Sequence, residues 1–331
     1  MRKLILRNFQ SPGDQVMLTA AVRELHQQYP HQFETDVRSA CPQLWQHNPF
    51  LTPLHEKAAD TEIIDCHYPL IDHSNQRPHH FIQGFIDFLG EHLDLSLRPT
   101  RFQGDIHLSE QEKGWISQVQ EITREAVPFW IIVAGGKYDF SIKWWDSARF
   151  QRVVDHFHGR LLFVQVGESG HYHPPLSQVI DLRGKTDLRQ LIRLMYHADG
   201  VLCPVTLAMH LAAAVEVKPG KLSHRACVVV AGGREPPHWE AYPHHQFLHS
   251  LGTLPCCDNG GCWRSRTQPL GDGDPKDQPD QLCLDVIGSL PHCMDMIHAA
   301  DVIRSIERYL ESTPTLNHAQ ASRVRQWTQP A

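Results

Sequence analysis

The feature that most restricts this chain lies in its second half, where short, wholly apolar runs alternate with segments of helical periodicity. FWIIVAGG from Phe129, RLLFVQVGE, ADGVLCPV and ACVVVAGG are apolar almost throughout, as strands covered on both faces must be. Between them, WDSARFQRVVDHF, DLRQLIRLMYHA and LAMHLAAAV space their apolar residues as helices do. Such alternation implies parallel strands, right-handed crossovers and a doubly wound sheet.

The first half repeats the pattern on a smaller scale. MRKLIL reads as a strand, and RNFQSPGDQVMLTAAVREL starts a helix with Ser11 as N-cap, Pro12 at the first helical position and Asp14 in the first turn. FETDVR and TEIIDC are further strands, FIQGFIDFLGEHLDL is a helix, and SEQE at Ser109 opens another helix, to Arg124, with a capping box. Two such units give two Rossmann-like domains facing across a cleft: an N-terminal domain over 1–125 and a C-terminal domain over 126–312, with a loose tail over 313–331.

Bulk properties narrow the function. A net charge of −6 over 331 residues gives no electrostatic footprint for nucleic acid. No apolar run is long enough to span a membrane, and the basic N-terminus reads as a strand rather than a signal peptide, which points to the cytoplasm. Most of the 24 histidines, including the pairs His79-His80 and His244-His245, fall in polar, Pro-rich stretches and read as surface residues. Five of the nine cysteines, Cys256, Cys257, Cys262, Cys283 and Cys293, crowd into the aperiodic segment 255–294. Without an export signal, such a cluster favours metal over disulfides. Four thiolates suit a closed structural shell of zinc or iron, with Cys257, Cys262, Cys283 and Cys293 as the ligands and Cys256 as the substitute for Cys257.

Three features fall at the carboxyl ends of successive strands, where parallel sheets bind ligands. GGKYDFSIKWW carries Lys143, VQVGE ends in Glu168, and LCPVTLAMHLAAA starts a helix at Thr206, with Met209 and His210 in its first turn. A lysine supplies a point charge for phosphate, a carboxylate suits a ribose diol, and the free amides of a helix start bind anions. Together they describe a nucleotide diphosphate site. Each also has a plain structural reading: a surface lysine, a loop acid, an N-cap and a packing histidine.

Taken in order, LRNFQSPGDQVMLTAAVRELHQQYP, IKWWDSARFQRVV, VQVGE, DLRGKTDLRQLIRLMYHADGVL and VTLAMHLAAAV resemble glycosyltransferase family nine, the ADP-heptose:lipopolysaccharide heptosyltransferases. The resemblance implies a GT-B fold with the nucleotide sugar held mainly by the second domain. It makes Asp14 the general base, Lys143 the phosphate lysine, Glu168 the ribose acid, and Thr206, Met209 and His210 part of the donor loop. It further implies an inverting transfer of heptose from an ADP-linked donor to a hydroxyl on a glycan, lipopolysaccharide or protein, with no catalytic divalent cation. Where the family has Asp-Ser/Thr-Gly before the histidine helix, this chain reads Pro204-Val205-Thr206-Leu207. PCCDNGGCW, LCLDV and PHCMDM are similar to the four-cysteine iron insertion of bacterial autotransporter heptosyltransferases, which implies a structural metal and a homo-oligomer. A nucleotide-sugar epimerase or hydrolase on the same fold, or a metal-stapled scaffold protein without donor chemistry, are the alternatives.

Overall fold

The computed structural model describes residues 1–58, 60–67, 73–221 and 223–311; the tail over 313–331 lies outside them. The chain forms two compact units. Among the described residues, one comprises those within 1–115 with 213–216 and 238–243, and the other those within 116–212, 217–237 and 244–311.

In the first unit, β1 (Arg2–Asn8) is the centre of a three-stranded parallel sheet, flanked by β2 (Phe33–Ser39) and β3 (Thr61–Asp65). Leu4, Ile5 and Leu6 make it central, because all three are wholly buried. The strand runs into α1 (Pro12–Gln28), where Pro12 holds the first helical position. Ser11 sits at the N-cap with extended backbone angles, but its side chain makes no capping hydrogen bond, contrary to the sequence reading. The helix α2 (Phe81–Leu93) is capped by His80, whose Nδ1 accepts from the Ile82 amide at 3.2 Å. His80 is buried, which corrects its reading as a surface residue. Phe81 stacks on Trp239 at 4.7 Å, fastening the 238–243 stretch to this unit.

The helix expected from Ser109 to Arg124 is two short ones, α3 (Glu110–Gly114) and α4 (Gln118–Thr123). Ser109 and Glu112 do form the capping box, but Trp115 adopts extended angles and Ser117 caps a new start on the Gln120 amide. A second serine cap competing within eight residues ends the first helix early.

The second unit holds a six-stranded parallel sheet in the order β6-β5-β4-β7-β8-β9. Its strands and helices follow in sequence: β4 (Phe129–Ile132), α5 (Ser147–His156), β5 (Leu162–Gln165), β6 (Ile180–Asp181), α6 (Leu188–His197), β7 (Gly200–Pro204), α7 (Leu207–Ala214), β8 (Ala226–Gly232) and β9 (His245–His249), while the short α8 (Pro237–Glu240) between the last two falls mostly in the 238–243 stretch of the first unit. On one face, Trp130, Ile132, Phe163, Leu202 and Val228 pack with Phe150 and Val153 of α5. Val302 and Ile306, from the last described helix (Ala299–Glu311), complete this layer. The alternate residues Ile131, Val164, Val201 and Val229 are equally buried on the opposite face, so the sheet is covered on both sides. The edge strands β6 and β9 escape the sequence reading. One has two residues, and HQFLH in the other is only half-buried and lacks an apolar run.

His80 carries a testable consequence. Its Nε2–H donates to the Ala241 carbonyl at 3.1 Å while Nδ1 caps α2, so the packed form is neutral, and burial lowers its pKa to about 4. Such a group stabilises the fold fully above its ordinary value of 6.5, and that stabilisation is lost as pH falls toward 4. Denaturant unfolding should show about 3 kcal/mol less stability at pH 4 than at pH 7 from this residue, and His80→Gln should remove that part of the slope.

Candidate functional site

In the six-stranded sheet the winding direction reverses between β4 and β7, the position at which open parallel sheets generally bind ligands beyond their carboxyl ends. The loop after β4 turns on Gly135, whose φ of +124° favours glycine and whose Cβ would lie 1.9 Å from the Tyr172 carbonyl oxygen. Gly136 and Tyr172 exchange backbone hydrogen bonds of 2.9 and 3.0 Å, tying this loop to the one after β5. A 3-10 turn over Tyr138–Lys143 then delivers Lys143. Its Nζ lies 2.7 Å from Glu235 Oε1 and 3.5 Å from the Val205 carbonyl oxygen, beside the amino end of α7.

Thr206 sits at that amino end with its Oγ1 buried and without a hydrogen-bond partner. The expectation that it caps the helix is therefore corrected: Thr206 contributes only its carbonyl, which accepts from the Met209 amide at 3.1 Å. An unsatisfied buried hydroxyl at a helix amino end, one residue from a carbonyl that the Lys143 ammonium approaches, is chemically suited to an anion. Met209 and His210 are both buried within α7. Glu168 follows β5, its side chain 74% exposed, with His171 Nδ1 3.4 Å from its Oε2. Gly167 just before it leaves room for the His173 ring, which a Cβ would meet at 2.4 Å. Asp14 lies in the first turn of α1 in the other unit and is 8% exposed.

Glu235 and Arg234 were missed by sequence reasoning. They follow β8 in the run GGREPP, and a charged pair directly after an apolar strand at the carboxyl edge was the available signal. Both are buried, and Arg234 Nη1 pairs with Glu235 Oε1. Burial opposes ionisation of Glu235, yet the charges of Arg234 and Lys143 hold its pKa below the ordinary carboxylate range.

The five clustered cysteines are free thiols, close enough for their charges to act on one another. Burial pushes the Cys293 thiol up to about 12 and that of Cys256 up to about 11, with the charges of Cys262 and Cys283 adding to both. A Cβ on Gly233 would lie 3.1 Å from Cys257 Sγ and 3.4 Å from Cys293 Cβ, so the chain passes close beside the cluster there. Among the described residues, however, no group of three or more His, Cys, Asp or Glu side chains is arranged to hold a metal ion. The donor set suits a metal, and the arrangement is not a closed shell. In place of an apolar core, the segment is organised by Arg266, which is fully buried and forks onto both Asp272 oxygens at 2.8 Å while also binding Asp277.

The family profile of glycosyltransferase family 9 (heptosyltransferase) matches residues 36–219, more than half of the chain. The chain belongs to glycosyltransferase family 9. Comparison with curated protein sequences gives no match. Among solved structures, a family 9 glycosyltransferase from Veillonella parvula DSM 2008 is 14% identical with a TM-score of 0.64, covering 94% of this chain and 98% of that one. The E. coli ADP-heptose lipopolysaccharide heptosyltransferase II is 14% identical with a TM-score of 0.57, covering 94% and 99%. The dodecameric, iron-containing heptosyltransferase TibC in complex with ADP-D-beta-D-heptose is 15% identical with a TM-score of 0.61, covering 94% and 77%. These likenesses bear out the GT-B type of α/β fold, and family membership makes the chain a glycosyltransferase. Among the described residues, no helix is long and apolar enough to cross a membrane.

The Gly135 turn is the part of this site most sensitive to one methyl group. Gly135→Ala should cost about 3 kcal/mol through the strained φ and the collision with Tyr172, read from the denaturant midpoint.

Proposed function

We propose that this glycosyltransferase inverts the anomeric centre as it moves heptose from an ADP-heptose-like donor to a hydroxyl of a glycan, lipopolysaccharide or protein. The observation carrying this reading is the meeting of Lys143, the α7 amino end and the unpartnered Thr206 hydroxyl at the switch point of the second sheet. A cation, helix-start amides and a spare hydroxyl donor match what a departing diphosphate requires. Family membership and the ADP-heptose held by TibC support the choice of donor.

In this reading the unit with the six-stranded sheet holds the nucleotide, and the N-terminal unit supplies the base. Asp14 accepts the proton of the acceptor hydroxyl, and the freed oxygen attacks the anomeric carbon on the face opposite the phosphate. The bond from that carbon to the phosphate oxygen breaks, and the electron pair leaves on the nucleoside diphosphate. Lys143 and the amides near Thr206 stabilise that charge, and Glu168 holds the ribose diol. Met209 and His210 shape the loop from within α7. Fixed positive groups do the work a divalent cation does elsewhere.

The cysteine segment takes a structural metal, iron or zinc, in our reading, with Cys257, Cys262, Cys283 and Cys293 as ligands and Cys256 as the substitute for Cys257. The convergence of the thiols and the iron of TibC support it. No catalytic step passes through it. The dodecameric state of TibC supports a homo-oligomer here, and a nucleotide-sugar donor suits a cytoplasmic location.

Release of ADP from ADP-D-beta-D-heptose, followed with and without a lipopolysaccharide core oligosaccharide, tests the reaction. Acceptor-dependent release should fall about a thousandfold in Asp14→Asn while ADP binding stays within about twofold. Equal release without acceptor would favour the hydrolase, and no turnover with any acceptor would favour the scaffold. Metal analysis of purified protein should find one iron or zinc per chain, lost in Cys262→Ser; protein free of metal would remove the structural-metal proposal.

A further inference from the structure

Lys143 is a flexible side chain, and a phosphate-binding lysine is useful only where it is held. Here it is held from the loop after β8. Glu235 Oε1 receives Lys143 Nζ at 2.7 Å and also pairs with Arg234. Arg234 is fixed in turn: its guanidinium lies 5.0 Å from the centre of the Phe140 ring and 5.4 Å from that of Trp263, and its Nε donates to the Arg264 carbonyl at 2.6 Å. The Arg234 carbonyl accepts from the Trp263 amide at 3.2 Å, and a Cβ on Gly261 would come within 2.4 Å of that oxygen.

The turn bearing Lys143 is fastened from the same direction. The Ile142 amide donates to the Ser265 carbonyl at 3.3 Å, the Thr267 amide to Ser141 Oγ at 3.0 Å, and Thr267 Oγ1 to the Ser141 carbonyl at 3.2 Å. Lysine and carboxylate thus stand on two loops that one stretch, 261–267, holds together. Two cations against one buried carboxylate leave a net positive charge beside the α7 amino end.

We propose that Glu235 is the positioning residue for Lys143, aiming its ammonium at the α7 amino end, with Arg234, packed against Phe140 and Trp263, holding Glu235 in place. This inference rests on Lys143 being the phosphate lysine, and the test separates the two ideas. ADP and adenosine are titrated calorimetrically into wild type, Lys143→Met, Glu235→Gln and the double variant. Adenosine has no phosphate, so general damage to the fold weakens both ligands, whereas misplacement of Lys143 weakens ADP alone.

The expected result is an ADP affinity lowered about tenfold in Glu235→Gln, with adenosine unchanged and no further loss in the double variant relative to Lys143→Met. Unchanged or tighter ADP binding in Glu235→Gln, or equal losses for ADP and adenosine, would overturn the positioning role while leaving Lys143 as the phosphate lysine. Unchanged ADP binding in Lys143→Met would overturn the underlying reading instead. Should Glu235→Gln fail to fold, Arg234→Lys keeps the buried charges balanced but loses the stacked plane. It should lower ADP affinity severalfold, again without effect on adenosine, and no change would count against the proposal.

Discussion

The pairing of β4 with β7 is the constraint on which the rest of the second unit depends. Trp130 faces Gly200 across this ladder, and a side chain at 200 would run into the indole at 2.3 Å. The bare glycine lets the two central strands pair while the indole lies across the sheet face over position 200. Chain order reverses at that pair, and there the loop after β4 brings Lys143 Nζ to 3.5 Å from the Val205 carbonyl, just before the amino end of α7. Position in the winding, more than any one residue type, is what suits this edge to the proposed anion.

Around that edge the protein uses buried charge where another fold would use apolar packing. Arg266 and its aspartates organise a segment with almost no hydrophobic core, and Arg234 with Glu235 joins that segment to the lysine. Buried ion pairs of this kind add little net stability, since desolvation offsets attraction. They do fix direction, because a guanidinium packed against two rings and a carboxylate oxygen shared by two cations have few alternative arrangements.

Much of this architecture was legible in the residues. The strands at Phe129, Leu162, Gly200 and Ala226 are runs of apolar side chains wherever both faces are covered, so burial writes itself into the sequence. Lys143 and Thr206 stood out as candidates because strand ends and helix starts are local signals, and the fold sets Lys143 Nζ 3.5 Å from the carbonyl of Val205, next to Thr206. Glu235 was not, since its role arises from a neighbour ninety-two positions away. His80 was misread because a histidine in polar sequence gives no sign that Phe102 and Tyr242 will close around it. The break at Trp115 was hidden by competing caps that look alike before the chain chooses between them.

The central claim is that a nucleoside diphosphate lies at the switch point, against α7. A crystal structure with ADP bound tests it most directly. The account predicts both phosphates at the amino end of α7, with Lys143 Nζ and Thr206 Oγ1 within hydrogen-bond distance and the ribose hydroxyls on Glu168. Phosphates bound anywhere else on the chain, with Lys143 still turned toward Glu235 alone, would contradict it.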